Sequence, residues 1–341
     1  MCGIVGGIAE RNVVPIMMEG LRRLEYRGYD SAGLAVIDES GINRTRRVGK
    51  VQQLHDALEE DPVRGTTGIS HTRWATHGVP NESNAHPHMS GADVAIVHNG
   101  IIENYEELRE DLKAEGYEFQ SETDTEVVAH RMAHHMKDFD SLEGAVRATV
   151  AELEGAYALA VICVREPEKV VIARAGAPAV VGLGIGENFV ASDVAALLPV
   201  TRKFKFLDEG DIALVERKRV TIWDEAGNEV DRPTKESELD ADAADRGEFR
   251  HYMIKEIYEQ ADAVGRTLNE RIANGRVLDA ASGPLANDAL DKTRGIHIVA
   301  CGTSFHAGLV ARYWVESLCK IPCTVEIASE YRYRSPVVLS L

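Results

Sequence analysis

In the first two-thirds of the chain, apolar positions fall into short Val- and Ile-rich runs bounded by Gly, Asn or Asp. They are "GLAVID", "TGISHT", "VAIVHNG", "AYALAVIC", "KVVIARAG", "PAVVGLG" and "DIALVERKRVTIWD". Runs of this length and composition predict strands, and their density before residue 225 predicts a mixed sandwich. Three stretches carry helical spacing instead. From Val14 to Tyr26, the residues Ile16, Met17, Leu21 and Leu24 share a face, and Gly28 lies beyond the end. A second helix follows Asn104, with Tyr105, Leu108 and Leu112 on one side and Gly116 as a stop. The third opens at "TDTEVVAHRM", where Thr123 and Glu126 have capping-box spacing ahead of Val127 and Val128.

The pattern then breaks. "EVDRPTKESELDADAADRGEF" is acidic and poor in bulky apolar residues, the signature of a linker. The expected division is a first domain over 1–225, an acidic linker and helical connection over 226–285, and a further α/β portion over 286–341. Helical spacing returns from about Met253 through Ile272. "GIHIVACGTSFHAGLVARYW" then predicts a buried strand, a Gly-Thr-Ser turn and a helix whose free N-terminal N–H groups suit a phosphate. The last residues, "ASEYRYRSPVVLSL", end soon after this unit begins, so the expectation is a fragment of a longer protein.

Composition narrows the classes. At 341 residues and 44% hydrophobic, the chain has material for two cores. With 38 basic against 55 acidic side chains the net charge is -17, which disfavours nucleic acid or an anionic membrane as the main partner. Neither a signal peptide nor an uninterrupted apolar span of about 18 residues is found, and the expected location is cytoplasmic. The five scattered cysteines fit a reduced compartment. Cys163, Cys301, Cys319 and Cys323 read as packing residues.

Cys2 is different. With Met1 removed, it carries a thiol and a free α-amine on one carbon. An amine titrating at about 7.7 to 8.0 can take the thiol's proton, so such a cysteine brings its own base. "HTRWATHG" adds Arg73, whose guanidinium suits a carboxylate, beside Thr76 and His77. "VHNG" adds Asn99 and Gly100, a side-chain amide and a backbone N–H that together can hold an oxyanion. Asp124 supplies a carboxylate for an ammonium group. Duller readings stand beside these: helix capping for Thr123 and Asp124, a metal site for His71, His77, His86 and His88, a solvated pair for His130 and His134, and a core position for Trp74. No Cys or carboxylate set is spaced to complete a metal site, and none is expected.

"CGIVG", "RRLEYRGYDSAG", "HTRWATHG", "NAHPH", "VHNGIIEN" and "SETDTE" resemble the glutaminase domain of the class II, N-terminal-nucleophile amidotransferases. Together with "HYMIKEIYEQ" and "ACGTSFHAG" they resemble the isomerising glutamine:fructose-6-phosphate aminotransferase (glucosamine-6-phosphate synthase) family. The resemblance implies an α+β N-terminal-nucleophile hydrolase sandwich with αββα layers, followed by the start of an α/β sugar-isomerase (SIS) domain. It implies Cys2 as nucleophile, Asn99 and Gly100 as oxyanion donors, Arg73, Thr76, His77 and Asp124 as glutamine-binding, Arg27 and Asp30 as site-ordering, and Trp74 as a channel gate. Gly302, Thr303 and Ser304 match the first sugar-phosphate turn. Glutamine and fructose 6-phosphate are the implied substrates, with no cofactor and a homodimeric full-length protein. The family's second phosphate turn and its isomerase acid–base groups do not occur in these residues, so only the glutaminase half-reaction is expected of them. The competing readings are a glutaminase serving another acceptor, as in amidophosphoribosyltransferase, and a non-catalytic sugar-phosphate sensor.

Overall fold

Residues 2–28, 30–75, 77–237, 249–268, 271–273, 276–277, 290 and 292–335 are described in the computed structural model, and the chain divides into two compact units, Met1–Tyr252 and Met253–Leu341.

Alternation along the first strand sets the layers of unit one. Gly3–Ile8 is buried throughout, and successive side chains must point to opposite faces. Ile4 and Ile8 enter a cluster between two sheets, with Ile69, Ala95, Val97, Ala160 and Ile172. Val5 points the other way, into a cluster with Met17, Leu21, Leu34, Leu54 and Phe189 beneath the helices Val14–Leu24 and Val51–Glu60. On the far side, Ile96, Leu159 and Val161 pack under Val128, Met132, Leu142 and Val146 of the helices Thr125–His135 and Leu142–Val150. The result is the αββα sandwich.

Both sheets are antiparallel. In the eight-stranded sheet the spatial order is Thr234–Glu236, Lys203–Phe206, Val180–Leu183, Asn188–Ala191, Gly3–Ile8, Thr67–Arg73, Ser31–Asp38 and Gly41–Val48. In the seven-stranded sheet it is Glu229–Val230, Val220–Trp223, Ile212–Val215, Val170–Ala175, Gly155–Cys163, Val94–Ile102 and His88–Ser90. The opening strand is therefore central, between Thr67–Arg73 and Asn188–Ala191.

The elements depart from the sequence pattern in a few places. "DIALVERKRVTIWD" is a hairpin rather than one strand: Val215 pairs with Val220, and the Glu216 N–H donates to the Arg219 carbonyl at 2.9 Å. Glu229–Val230 and Thr234–Glu236 add to the two sheets beyond residue 225. Thr123 Oγ1 accepts the Glu126 N–H at 3.3 Å, one half of a capping box. The Glu126 carboxylate turns instead to the Gln120 and Ser121 N–H groups and the Ser121 hydroxyl.

In unit two, the helix Tyr252–Leu268 ends short of Ile272, and Ile272–Ala273 pairs with Arg276–Val277. Ile296–Ala300 then pairs in parallel with Cys323–Ile327 across the helix Gly302–Trp314, the crossover that parallel strands require. Cys163 and Cys323 are buried, but Cys301 and Cys319 are exposed, against the expectation that all four pack in the interior. Among the described residues no helix is long and apolar enough to cross a membrane.

Candidate active site

Cys2 immediately precedes the central strand, and Gly3 pairs with Thr72, so the thiol lies beside the end of Thr67–Arg73. The Trp74 N–H donates to Cys2 Sγ at 3.1 Å, and the thiol faces the Trp74 carbonyl at 3.5 Å. Burial pushes the thiol pKa up; the Trp74 N–H and Arg73 pull against it, and Asp30 adds to the rise. From the second sheet, Asn99 Nδ2 donates to the Cys2 carbonyl at 3.2 Å. Gly100 follows with φ +135°, and a Cβ there would meet the Ala156 carbonyl oxygen at 1.9 Å, so no other residue fits.

Asp124 is buried at the start of the Thr125–His135 helix, but its carboxylate caps nothing there. It accepts the Ile102 N–H at 2.9 Å and lies 3.9 Å from His77 Nδ1 and from His98 Nδ1. Thr123 takes the capping role. The buried Arg73 guanidinium donates through Nη2 to the His77 carbonyl and, at 3.3 Å, to that of Gly78. Its Nη1 stands 3.7 Å from Asp30 Oδ1 and makes no hydrogen bond among the described residues. Asp30 also accepts the Ala75 N–H and the Ser31 hydroxyl, which ties the turn after Arg73 to the neighbouring strand.

Trp74 is not a core residue: its side chain is 58% exposed, lying over Gly28, where a Cβ would stand 2.5 Å from the ring. Thr76 and the side chain of Arg27 lie outside the described residues. Cys2, Arg73, Trp74, His77, Gly100 and Asp124 line one pocket with about 20 Å³ of free space, little more than one water occupies. Gly302, Thr303 and Ser304 belong to unit two and are exposed on the first turn of their helix, with Gly302 at φ +58°.

Four buried histidines make up much of the wall behind Asn99. His71 Nε2 is 2.9 Å from Asn99 Oδ1; its ring stacks on His86 at 4.2 Å, and His86 meets His88 edge-on at 4.8 Å. His88 Nε2 bonds Thr123 Oγ1 at 3.0 Å, and His98 Nδ1 bonds Thr125 Oγ1 at 2.9 Å. Burial pushes His71 down to about 3, lowers His98, and holds His86 and His88 well below the ordinary imidazole value. These rings are thus neutral packing and hydrogen-bonding groups. Strand periodicity carried the signal for His71, which is two residues from Arg73 and so shares its face. His130 is buried too, between the Ser90 hydroxyl and the Glu118 carbonyl, rather than solvated. Among the described residues, His55, Asp56 and Glu59 bring metal-capable atoms within 4.8 Å of one another, on the flank of a surface helix away from this chemistry.

Residues 71–199 match the glutamine amidotransferase domain family. The chain is 61% identical over 334 residues to isomerising glutamine–fructose-6-phosphate aminotransferase of Shewanella oneidensis, covering 98% of this chain and 55% of that protein. It is 58% identical over 339 residues to the Escherichia coli K12 enzyme of the same name, covering 99% of this chain and 56% of that protein. Among solved structures, the Bacillus subtilis glutamine phosphoribosylpyrophosphate amidotransferase superposes with a TM-score of 0.60 at 19% identity, over 95% of this chain and 65% of that one, a likeness of fold alone. The sandwich with a cysteine beside its central strand defines an N-terminal-nucleophile glutamine amidotransferase. Within that class the chain belongs to the glutamine–fructose-6-phosphate aminotransferase family, and it spans about half the length of the curated relatives it matches.

Proposed function

We propose that unit one hydrolyses glutamine to glutamate and ammonia through a thioester on Cys2. The observation that carries this reading is the Asn99 Nδ2 to Cys2 carbonyl bond of 3.2 Å, which holds an amide donor against the residue that bears the nucleophile. With Met1 removed, the Cys2 α-amine takes the thiol proton and Sγ attacks the carboxamide carbon of glutamine. The oxyanion that forms is met by Asn99 Nδ2 and the Gly100 N–H. The ammonium form of the α-amine returns the proton to the leaving nitrogen, ammonia departs, and water attacks the thioester by the same route to release glutamate. Arg73, Thr76 and His77 hold the α-carboxylate of glutamine and Asp124 its α-ammonium, while Arg27 and Asp30 order the loop around Cys2.

The ammonia is passed, with Trp74 as gate, to a sugar-isomerase portion whose beginning is residues 286–341. There Gly302, Thr303 and Ser304 receive the phosphate of fructose 6-phosphate, and the product of the longer homodimeric, cytoplasmic protein is glucosamine 6-phosphate. Support comes from the 61% identity along nearly all of this chain, against 19% for the phosphoribosylpyrophosphate enzyme. Two assays on the 341-residue chain separate the halves. Glutamate release that disappears in Cys2→Ala, with no glucosamine 6-phosphate formed, supports the reading; release that survives Cys2→Ala overturns it.

A further inference from the structure

We infer that His71 is a positioning residue that fixes which end of the Asn99 amide faces Cys2. The inference rests on the oxyanion role proposed for Asn99. An asparagine amide has two nearly isosteric orientations, and only one presents its N–H₂ to the nucleophile. Asn99 Oδ1 can only accept, so at 2.9 Å His71 must donate to it from Nε2. That assigns the tautomer: the proton is on Nε2 and Nδ1 is bare.

If the amide turned over, its N–H₂ would face the Nε2–H of His71 and its oxygen would face the Cys2 carbonyl oxygen. Both contacts, now favourable at 2.9 and 3.2 Å, would become repulsive together. Water has no access to substitute for His71, because the ring is 1% exposed and stacked on His86 at 4.2 Å. Burial outweighs the pull of Asn99 and of the His98 backbone toward the charged form, so the neutral ring is the stable one. Gly33 pairs with His71 across the sheet, and a Cβ at Gly33 would come within 2.2 Å of the His86 carbonyl oxygen, so the backbone carrying His86 packs directly on this strand pair. His71 itself lines no part of the Cys2 pocket, so its effect on the reaction passes through Asn99.

The test is a double-mutant cycle on the Met1-free 341-residue chain, with glutamate release as the activity, iodoacetamide alkylation of Cys2 as a check on the thiol, and thermal unfolding as a check on the fold. Asn99→Ala tests the oxyanion reading and is expected to lower kcat about 100-fold or more, the scale for one oxyanion donor. His71→Leu is expected to lower kcat about 10- to 100-fold, with KM for glutamine within about threefold and the alkylation rate unchanged. The pair together is expected to be no worse than Asn99→Ala alone. His71→Gln, which keeps an N–H donor, is expected to recover a substantial part of kcat and carries the cycle if the leucine variant does not fold. Losses that multiply in the double variant, or a wild-type kcat in His71→Leu beside an impaired Asn99→Ala, overturn the role of His71. A wild-type kcat in Asn99→Ala overturns the oxyanion reading, and the inference with it.

Discussion

Trp74 brackets the Cys2 thiol with its backbone alone: its N–H reaches Sγ at 3.1 Å, its carbonyl faces the thiol at 3.5 Å, and its ring stands out over Gly28. The thiol's environment therefore belongs to the turn and not to the indole. Trp74→Phe is expected to leave the iodoacetamide alkylation rate of Cys2 within about twofold and stability within about 0.5 kcal/mol, as for other exposed positions. An alkylation rate altered tenfold would show that the ring itself shapes the thiol's surroundings.

Gly100→Ala should be among the most damaging small changes in the chain. The new Cβ would meet the Ala156 oxygen at 1.9 Å on a φ of +135°, so strand pairing must yield. A loss of about 2 to 4 kcal/mol in urea unfolding is expected, together with loss of glutamate release. Gly91→Ala is the control: φ is also positive, at +59°, but nothing lies within 4 Å of a Cβ, and the cost should stay near the roughly 1 to 2 kcal/mol of left-handed backbone.

Acid should unfold unit one early. Folded His71, His86, His88 and His98 resist protonation because of burial, whereas in the unfolded chain they titrate near 6.5. A lowered folded pKa means that the unfolded state binds the extra protons. Stability from this source is full above about pH 6.5 and declines as pH falls toward the folded values, about 3 for His71. Each such proton contributes about 1.4 kcal/mol per pH unit where it titrates, and the rings of His71, His86 and His88, being in contact, resist charging together. Burial opposes ionisation of Glu126 as well, but bonds from His130, Gln120 and Ser121 outweigh it and lower its pKa to about 2 from an ordinary 4.5. Its contribution is full above about 4.5 and lost toward 2. Urea unfolding at pH 7.5, 6.0 and 5.0 should show the early slope, and His86→Gln should flatten it; a flat wild-type profile would contradict neutral buried rings.

A residue placed ahead of Cys2 turns its α-amine into an amide and removes the base we propose for the thiol, without touching the sandwich. Glutamate release should drop below detection while the thermal midpoint stays within about 2 °C. Wild-type turnover in that variant would remove the amine from the mechanism.

Much of this could be read from periodicity. The long buried runs, such as "VAIVHNG" and "AYALAVIC", carried their strands, and Cys2, Arg73, Asn99, Gly100 and Asp124 announced themselves by chemistry at strand and helix ends. The hairpin in "DIALVERKRVTIWD" was hidden because its reversal uses Glu216 to Arg219 and no Gly or Asn marks it. Gly41–Val48 escaped because Arg44, Arg46 and Arg47 make a polar edge strand, yet Arg46 reaches the Ser83 and Ala85 carbonyls at 3.1 and 2.9 Å. Periodicity places His71 on the face of Arg73, but the partners of His71, His86, His88 and His98 were opaque for a different reason. Their roles depend on burial and on partners such as Asn99, Thr123 and Thr125, which lie up to 35 positions away along the chain and meet only through the fold.

The central place of Gly3–Ile8 also sets an order of events during synthesis. Val5 needs Ser70 on one side and Ala191 on the other. Gly3–Ile8 must therefore wait for most of unit one before the strand is enclosed on both sides, because closing so long a loop precedes the contacts that reward it. Cys2 gains Trp74 and Asn99 only after Thr67–Arg73 and Val94–Ile102 have been made and brought to it. The thiol of Cys2 is thus made long before the backbone and amide donors that surround it in the folded unit, and the pairing of distant strands is what joins them.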